Sequence, residues 1–220
     1  AKHRQRLCPE QRPADLPRPD LGTTGIQQHC GQGQESDVSE PQADNAPAKG
    51  DFAAAARLFG RLLVKELDAA TLAQLRAPDI AAALTSLDID VPSDEQINEL
   101  NNRYFDLFLH PEGSLPPVQS LWRDGQYDGN HAVGVRKIAE AANREIATGA
   151  RSAAPDHLGC ILLLWAELQT ERPELAELLS THHLAWADQA LQHATLDDGF
   201  YGSVSRATLA IIREVRTASD

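Results

Sequence analysis

Asp156 and His157 are the residues whose types come nearest to catalytic chemistry. A carboxylate beside an imidazole can share a proton, the minimum that a general base requires. The pair opens the most apolar stretch of the chain, in Pro155–Asp156–His157–Leu158. The same position suits a structural task, because an aspartate at or just inside a helix start satisfies free backbone N–H groups and complements the helix dipole. His182 and His183 offer two more imidazoles, yet adjacent residues on a helix point to different faces. That pattern predicts one packed ring and one solvated ring. Cys160 has no basic neighbour to lower its thiol pKa and reads as a small buried hydrophobe. Neither HExxH nor a cysteine cluster supplies zinc ligands, and no GxGxxG, Walker loop or GxSxG occurs. Gly199–Phe200–Tyr201–Gly202 reads as a helix start rather than a phosphate cradle. The side chains point away from catalysis and toward binding.

The elements that position these residues are helical. Phe52, Ala55, Phe59, Leu62, Leu63 and Leu67 recur at three and four, one apolar stripe. Ser93 with Gln96 forms a capping-box signature ahead of Ile97, Leu100, Tyr104, Leu107 and Phe108. Val135, Ile138, Ala139, Ala142 and Ile146 make a further stripe. Leu158, Ile161, Leu162, Trp165 and Leu168 follow, and Leu163 with Leu164 leave that helix apolar on nearly every side. Such a helix belongs at the centre of a bundle. Leu175, Leu178, Leu179, His182 and Trp186 continue the series, and Val204, Ala207, Ile211 and Val215 close it. No β-branched run alternates with period two. The expectation is an all-α, single-domain helical bundle over residues 51–220.

Residues 1–50 differ. They contain no aromatic residue, while six prolines and five glycines punctuate them. Such a composition buries too little apolar surface to offset its ordering entropy, which predicts a disordered tail or linker. Within the bundle, His110–Asn130 reads HPEGSLPPVQSLWRDGQYDGN. Its three prolines and three glycines predict a long loop without regular helix. Leu115, Val118, Leu121, Trp122 and Tyr127 make it too apolar for an idle linker. Either Trp122 plugs the core from a packed crossover, or the loop walls a groove for an extended or helical peptide.

The 220 residues carry 20 lysines and arginines against 32 aspartates and glutamates, a net charge of −12. That balance argues against a nucleic-acid backbone as partner and favours cationic ones. No apolar run approaches a membrane span, the longest being Ile161–Ala166. The first residues, AKHRQRLCPEQRP, lack an apolar h-region, and three scattered cysteines make no disulfide framework. The expected location is the reducing cytoplasm.

Four blocks carry a resemblance. Tyr104–Phe105–Asp106–Leu107–Phe108, Pro116–Pro117–Val118–Gln119–Ser120–Leu121–Trp122, Pro155–Asp156–His157–Leu158–Gly159 and His183–Leu184–Ala185–Trp186 stand in the order of the TorD/DmsD/NarJ family's motifs. The similarity spans about residues 52 to 216. One departure is Gly159–Cys160–Ile161, where relatives often carry a glutamate. The resemblance implies an all-helical chaperone, not an enzyme, that matures molybdenum-containing respiratory reductases. Such a protein would bind the twin-arginine signal peptide and the apo catalytic subunit of its client. It would hold that subunit in the cytoplasm until molybdopterin is inserted, carrying no cofactor itself. Peptide-binding roles fall on Tyr104, Pro117, Ser120, Trp122, Asp156, His157, His183 and Trp186. The alternative the resemblance allows is a delta-type helical adaptor docked on a membrane-associated oxidoreductase complex. A hydrolase built on His157 and Asp156 is a third reading, and the oligomeric state stays open.

Overall fold

A glycine pair sets the packing of this protein. The computed structural model describes residues 49–110, 115–147 and 153–217, with side chains from Phe52 onward. The disordered tail expected over residues 1–50 lies outside them except at its end, where the first helix, α1 (Lys49–Val64), begins two residues earlier than the periodicity suggests. The central helix is α7 (Leu158–Glu171), buried along almost its whole length, from Leu158 to Leu162 and from Leu164 to Ala166. Its most extensive contacts are with α1 and with α8 (Pro173–His183). At the crossing, Gly159 of α7 and Gly60 of α1 face each other. A Cβ on Gly159 would stand 2.5 Å from the Gly60 carbonyl oxygen and 2.6 Å from Val64 Cγ2, and a Cβ on Gly60 would stand 2.9 Å from the Gly159 carbonyl oxygen. Only two glycines let the backbones approach so closely. Arg57 ties the far end of the crossing, its Nη2 donating to the Ala166 carbonyl at 2.9 Å.

Two apolar layers flank α1. Ala53, Ala56 and Leu63 face a core shared by α7, α8, α4 (Ile97–Phe108) and α10 (Phe200–Thr217). Phe59 and Leu62 face a second cluster made with Leu72, Leu75 and Leu84 of α2 (Ala69–Leu75) and α3 (Pro78–Thr85). These two short helices have too few turns to declare a stripe, and the periodicity of the sequence does not reveal them. Leu67 is buried yet outside α1, because Asp68 starts a new helix by accepting the Thr71 N–H at 2.7 Å. Ahead of α4, a 3₁₀ turn over Asp94–Gln96 carries the expected cap, the Ser93 N–H donating to Gln96 Oε1 at 2.9 Å.

Three expectations need correction. The proline–glycine segment is no continuous loop: α5 (Gln119–Asp124) forms inside it, since all three prolines precede Val118 and no glycine intervenes before Gly125, which ends the helix at φ 71°. α6 (Asn130–Ala141) stops short of Ile146. The stripe reaching Trp186 breaks after His183, whose carbonyl accepts the Trp186 indole N–H at 2.8 Å, and α9 (Ala187–Leu191) follows. Among the described residues there is no strand, only one isolated bridge between Val118 and His157. No helix there is long and apolar enough to cross a membrane. The all-helical expectation holds.

The Gly60–Gly159 crossing yields a test. Gly159→Ala forces backbone against side chain and carbonyl, and it lowers unfolding stability by about 1–3 kcal/mol, the range of overpacked cores. Urea unfolding measures this. An unchanged midpoint would show that the helices separate without cost.

Candidate functional site

Three of the four motif blocks meet at the start of α7. The segment before α5 lies against the segment before α7 as a short antiparallel clasp: Leu158 N–H donates to the Pro117 carbonyl at 2.8 Å, and Gln119 N–H to the Asp156 carbonyl at 3.0 Å. Asp156 then adds its side chain. Its Oδ2 accepts the N–H of Ser120, in the first turn of α5, at 2.6 Å. Asp156 therefore caps α5 across 36 residues of sequence rather than the helix it precedes. The cap of α7 is His157, in extended backbone, with Nδ1 accepting the Gly159 N–H at 3.1 Å. Asp156 and Ser120 are fully buried, and Asp156 Oδ1 and Ser120 Oγ have no hydrogen-bond partner.

Gln119 carries the clasp to the third block. Its side-chain amide donates to the His182 carbonyl at 3.1 Å, which turns Oε1 toward His183 Nδ1 at 2.7 Å. Because that oxygen only accepts, Nδ1 of His183 carries the proton. His183 is buried and His182 exposed, the division expected of adjacent histidines. The His183 ring also meets the His131 ring of α6 edge-on, centroids 6.4 Å apart. His131 in turn bonds Asp124 at the end of α5, its Nδ1 3.0 Å from Oδ1 and its backbone N–H donating to Oδ2 at 3.3 Å. The His131 hydrogen bond holds the Asp124 carboxyl below its usual range. Gln119, Asp124 and His131 are thus structural partners that the sequence reading missed. Gln119 lies inside a quoted block, but nothing in its spacing shows that α8 is its neighbour.

The remaining expected residues take other places. Pro117 belongs to the clasp. Trp122 is half-buried at its edge, with its indole N–H donating to the Pro116 carbonyl at 2.9 Å. Trp186 is buried beneath, bound to the His183 carbonyl. Tyr104 lies in the core beside Phe108 and Tyr201, its hydroxyl donating to the Leu63 carbonyl at 2.8 Å. None of the eight lines the large surface groove beside α4 or the smaller one beside Arg61 and Leu163.

The geometry does not make a catalyst of Asp156 and His157. No hydrogen bond joins them; the carboxylate faces Ser120 and the imidazole Nδ1 is occupied by a backbone N–H. Burial pushes His157 down to about 4, so its ring is neutral at pH 7. Burial, with His131 and His182 adding to it, pushes His183 down to about 4 as well. The Cys160 thiol is pushed up to about 12 by burial, which removes the thiolate a nucleophile needs. Among the described residues no three His, Cys, Asp or Glu side chains are grouped to hold a metal.

Two outcomes follow from the clasp. Asp156→Ala removes the cap of α5 and lowers stability by about 2 kcal/mol, as loss of a charge-assisted buried bond does, whereas Asp156→Asn keeps an acceptor oxygen and loses less. Denaturant unfolding of the two variants checks the order, and equal midpoints for wild type and alanine would refute the capping role. Separately, both buried imidazoles titrate near 6.5 when unfolded and about 4 when folded. The unfolded chain then binds more protons below pH 6.5, so their contribution makes stability fall from pH 6.5 toward 4. Thermal melting across that window should show the decline, with a shallower slope in His183→Gln.

The structure of a protein from Archaeoglobus fulgidus, provisionally described as a redox enzyme maturation protein, superposes with a TM-score of 0.49 at 17% identity, covering 81% of this chain and 98% of the other. No curated protein matches the chain. The family model for the nitrate reductase delta subunit matches residues 66–194, which include all four motif blocks. By that match over more than half its length, the chain belongs to the nitrate reductase delta subunit family, the NarJ/TorD-type chaperones of redox-enzyme maturation.

Proposed function

We propose that this chaperone binds the twin-arginine signal peptide and apo catalytic subunit of a molybdopterin-containing respiratory reductase in the cytoplasm. It holds that subunit for cofactor insertion before export. The molybdopterin belongs to the client, and the chaperone binds no cofactor of its own. The observation that carries the reading is the clasp, which holds three family motif blocks as one unit. The segment it fixes leaves Leu115 and Tyr127 exposed and Trp122 half-buried, apolar surface suited to the h-region of a leader. The net charge of −12 supports attraction of a peptide with adjacent arginines, whose guanidinium groups pair bidentately with carboxylates.

A second reading has its own support in the family's name: a delta-type subunit that docks stably on a membrane-associated oxidoreductase complex. Calorimetric titration with a leader peptide separates the two. A peptide with two adjacent arginines followed by an apolar stretch should bind, replacement of both arginines by alanine should weaken it about tenfold, and added salt should weaken it further. Equal affinity for both peptides would remove the electrostatic part of the reading. No heat with any leader, together with tight binding to the mature reductase complex, would favour the adaptor.

A further inference from the structure

A broad groove on the described surface lies away from the clasp. It runs between the segment after α3, one face of α4 and the turn that opens α10, and it encloses about 550 Å³, within the range of ligand sites. Its floor is apolar, from Val91, Pro92, Leu100 and Phe200. Around that floor stand six carboxylates, Asp88, Asp90, Glu99, Asp106, Asp197 and Asp198, against one lining cation, Arg103.

Arg103 shows what the groove accepts. Its Nε and Nη2 both donate to Asp197 Oδ1, at 2.8 and 2.6 Å. The Asp197 side chain is only 8% exposed, and its Oδ2 has no hydrogen-bond partner. That oxygen lies on the Gly199 side, where an added Cβ would stand 3.1 Å from it. The other five carboxylates are exposed and take part in no ion pair among the described residues. Two more guanidiniums reach the rim, Arg206 on the Asp197 carbonyl and Ser203 Oγ and Arg76 on the Pro92 carbonyl. Six carboxylates thus stand against three cations, and the excess still concentrates a negative potential over low-dielectric walls.

We propose that this groove, and not the clasp, holds the paired arginines of the client's leader. The inference rests on the reading that the protein binds such a leader. Charge complementarity selects a cationic segment, and the floor selects arginine over lysine. A guanidinium is weakly hydrated and planar, so it lies on Phe200 and Leu100 while its edges meet carboxylates, whereas an ammonium keeps its water. The division of labour is then spatial: arginines in the acidic groove, the apolar stretch on other surface of the bundle.

The test uses the full chain and a synthetic peptide with two adjacent arginines followed by an apolar stretch. One variant combines Asp90→Asn, Glu99→Gln, Asp106→Asn and Asp198→Asn, all exposed and unpaired. A control variant combines Glu140→Gln, Glu145→Gln, Glu167→Gln and Glu177→Gln, which changes the net charge equally outside the groove. The groove variant should melt as wild type, lose tenfold or more in affinity and show a flatter salt dependence, while the control stays within about twofold. A peptide with two lysines should bind wild type several-fold more weakly. Wild type that binds the leader, with groove and control variants weakened alike or not at all, overturns the groove and leaves the proposed function standing. Wild type that binds no leader overturns the proposed function and the groove assignment with it.

Discussion

The depth at which α7 begins governs the rest of the molecule. Gly60 and Gly159 let two backbones meet where side chains would hold them apart. Gly159 stands two residues after the His157 cap, so this close approach carries the preceding residues, Asp156 and His157, into the interior with it. A helix start is normally a solvated place, with water satisfying its free N–H groups. Here the start is buried, so the clasp's backbone N–H groups find partners within the protein, while Asp156 Oδ1 and Ser120 Oγ are buried with none.

That burden explains the clasp. A buried carboxylate is costly unless it is hydrogen-bonded, and Asp156 has no cation beside it. The α5 N-terminus supplies what a cation would: an N–H aimed at Oδ2 and the positive end of a helix dipole. α5 spans only Gln119–Asp124 and is too short to persist alone, so each stabilises the other. From there the polar chain runs through Gln119 to His183 and on to His131 and Asp124, which holds the start of α6. Motif blocks that look like candidate ligand contacts are, in large part, the bonds that hold a proline-rich segment to the bundle. Their burial leaves Leu115, Trp122 and Tyr127 as the more exposed apolar side chains of that segment.

The titratable groups around the start of α7 are held in unreactive forms. Both histidines of the clasp are neutral at pH 7 and engaged by hydrogen bonds, and the one described cysteine is a buried thiol. Five of the six carboxylates lining the groove beside α4 take part in no ion pair among the described residues.

The sequence by itself determined the helical class, the centrality of α7, the capping signal at Ser93 and Gln96, the burial of Cys160 and the opposite fates of His182 and His183. All of these follow from periodicity or from contacts within a few residues, which one chain segment contains. It also carried the family, through four short blocks in order. What it could not contain is who meets whom. The capping chemistry of Asp156 was legible, but its target was not, because the N–H it caps lies 36 residues earlier. α5 was hidden because its stability comes from that distant cap rather than from its own turns. The breaks after Val64 and His183 were hidden because an apolar stripe continues across them while the backbone turns. The six carboxylates of the groove span Asp88 to Asp198 and register in the sequence only as part of a net charge. Local hydrogen bonding and hydrophobic period are properties of a segment; caps in trans, glycine crossings and charge clusters exist only when distant segments are brought within a few ångströms.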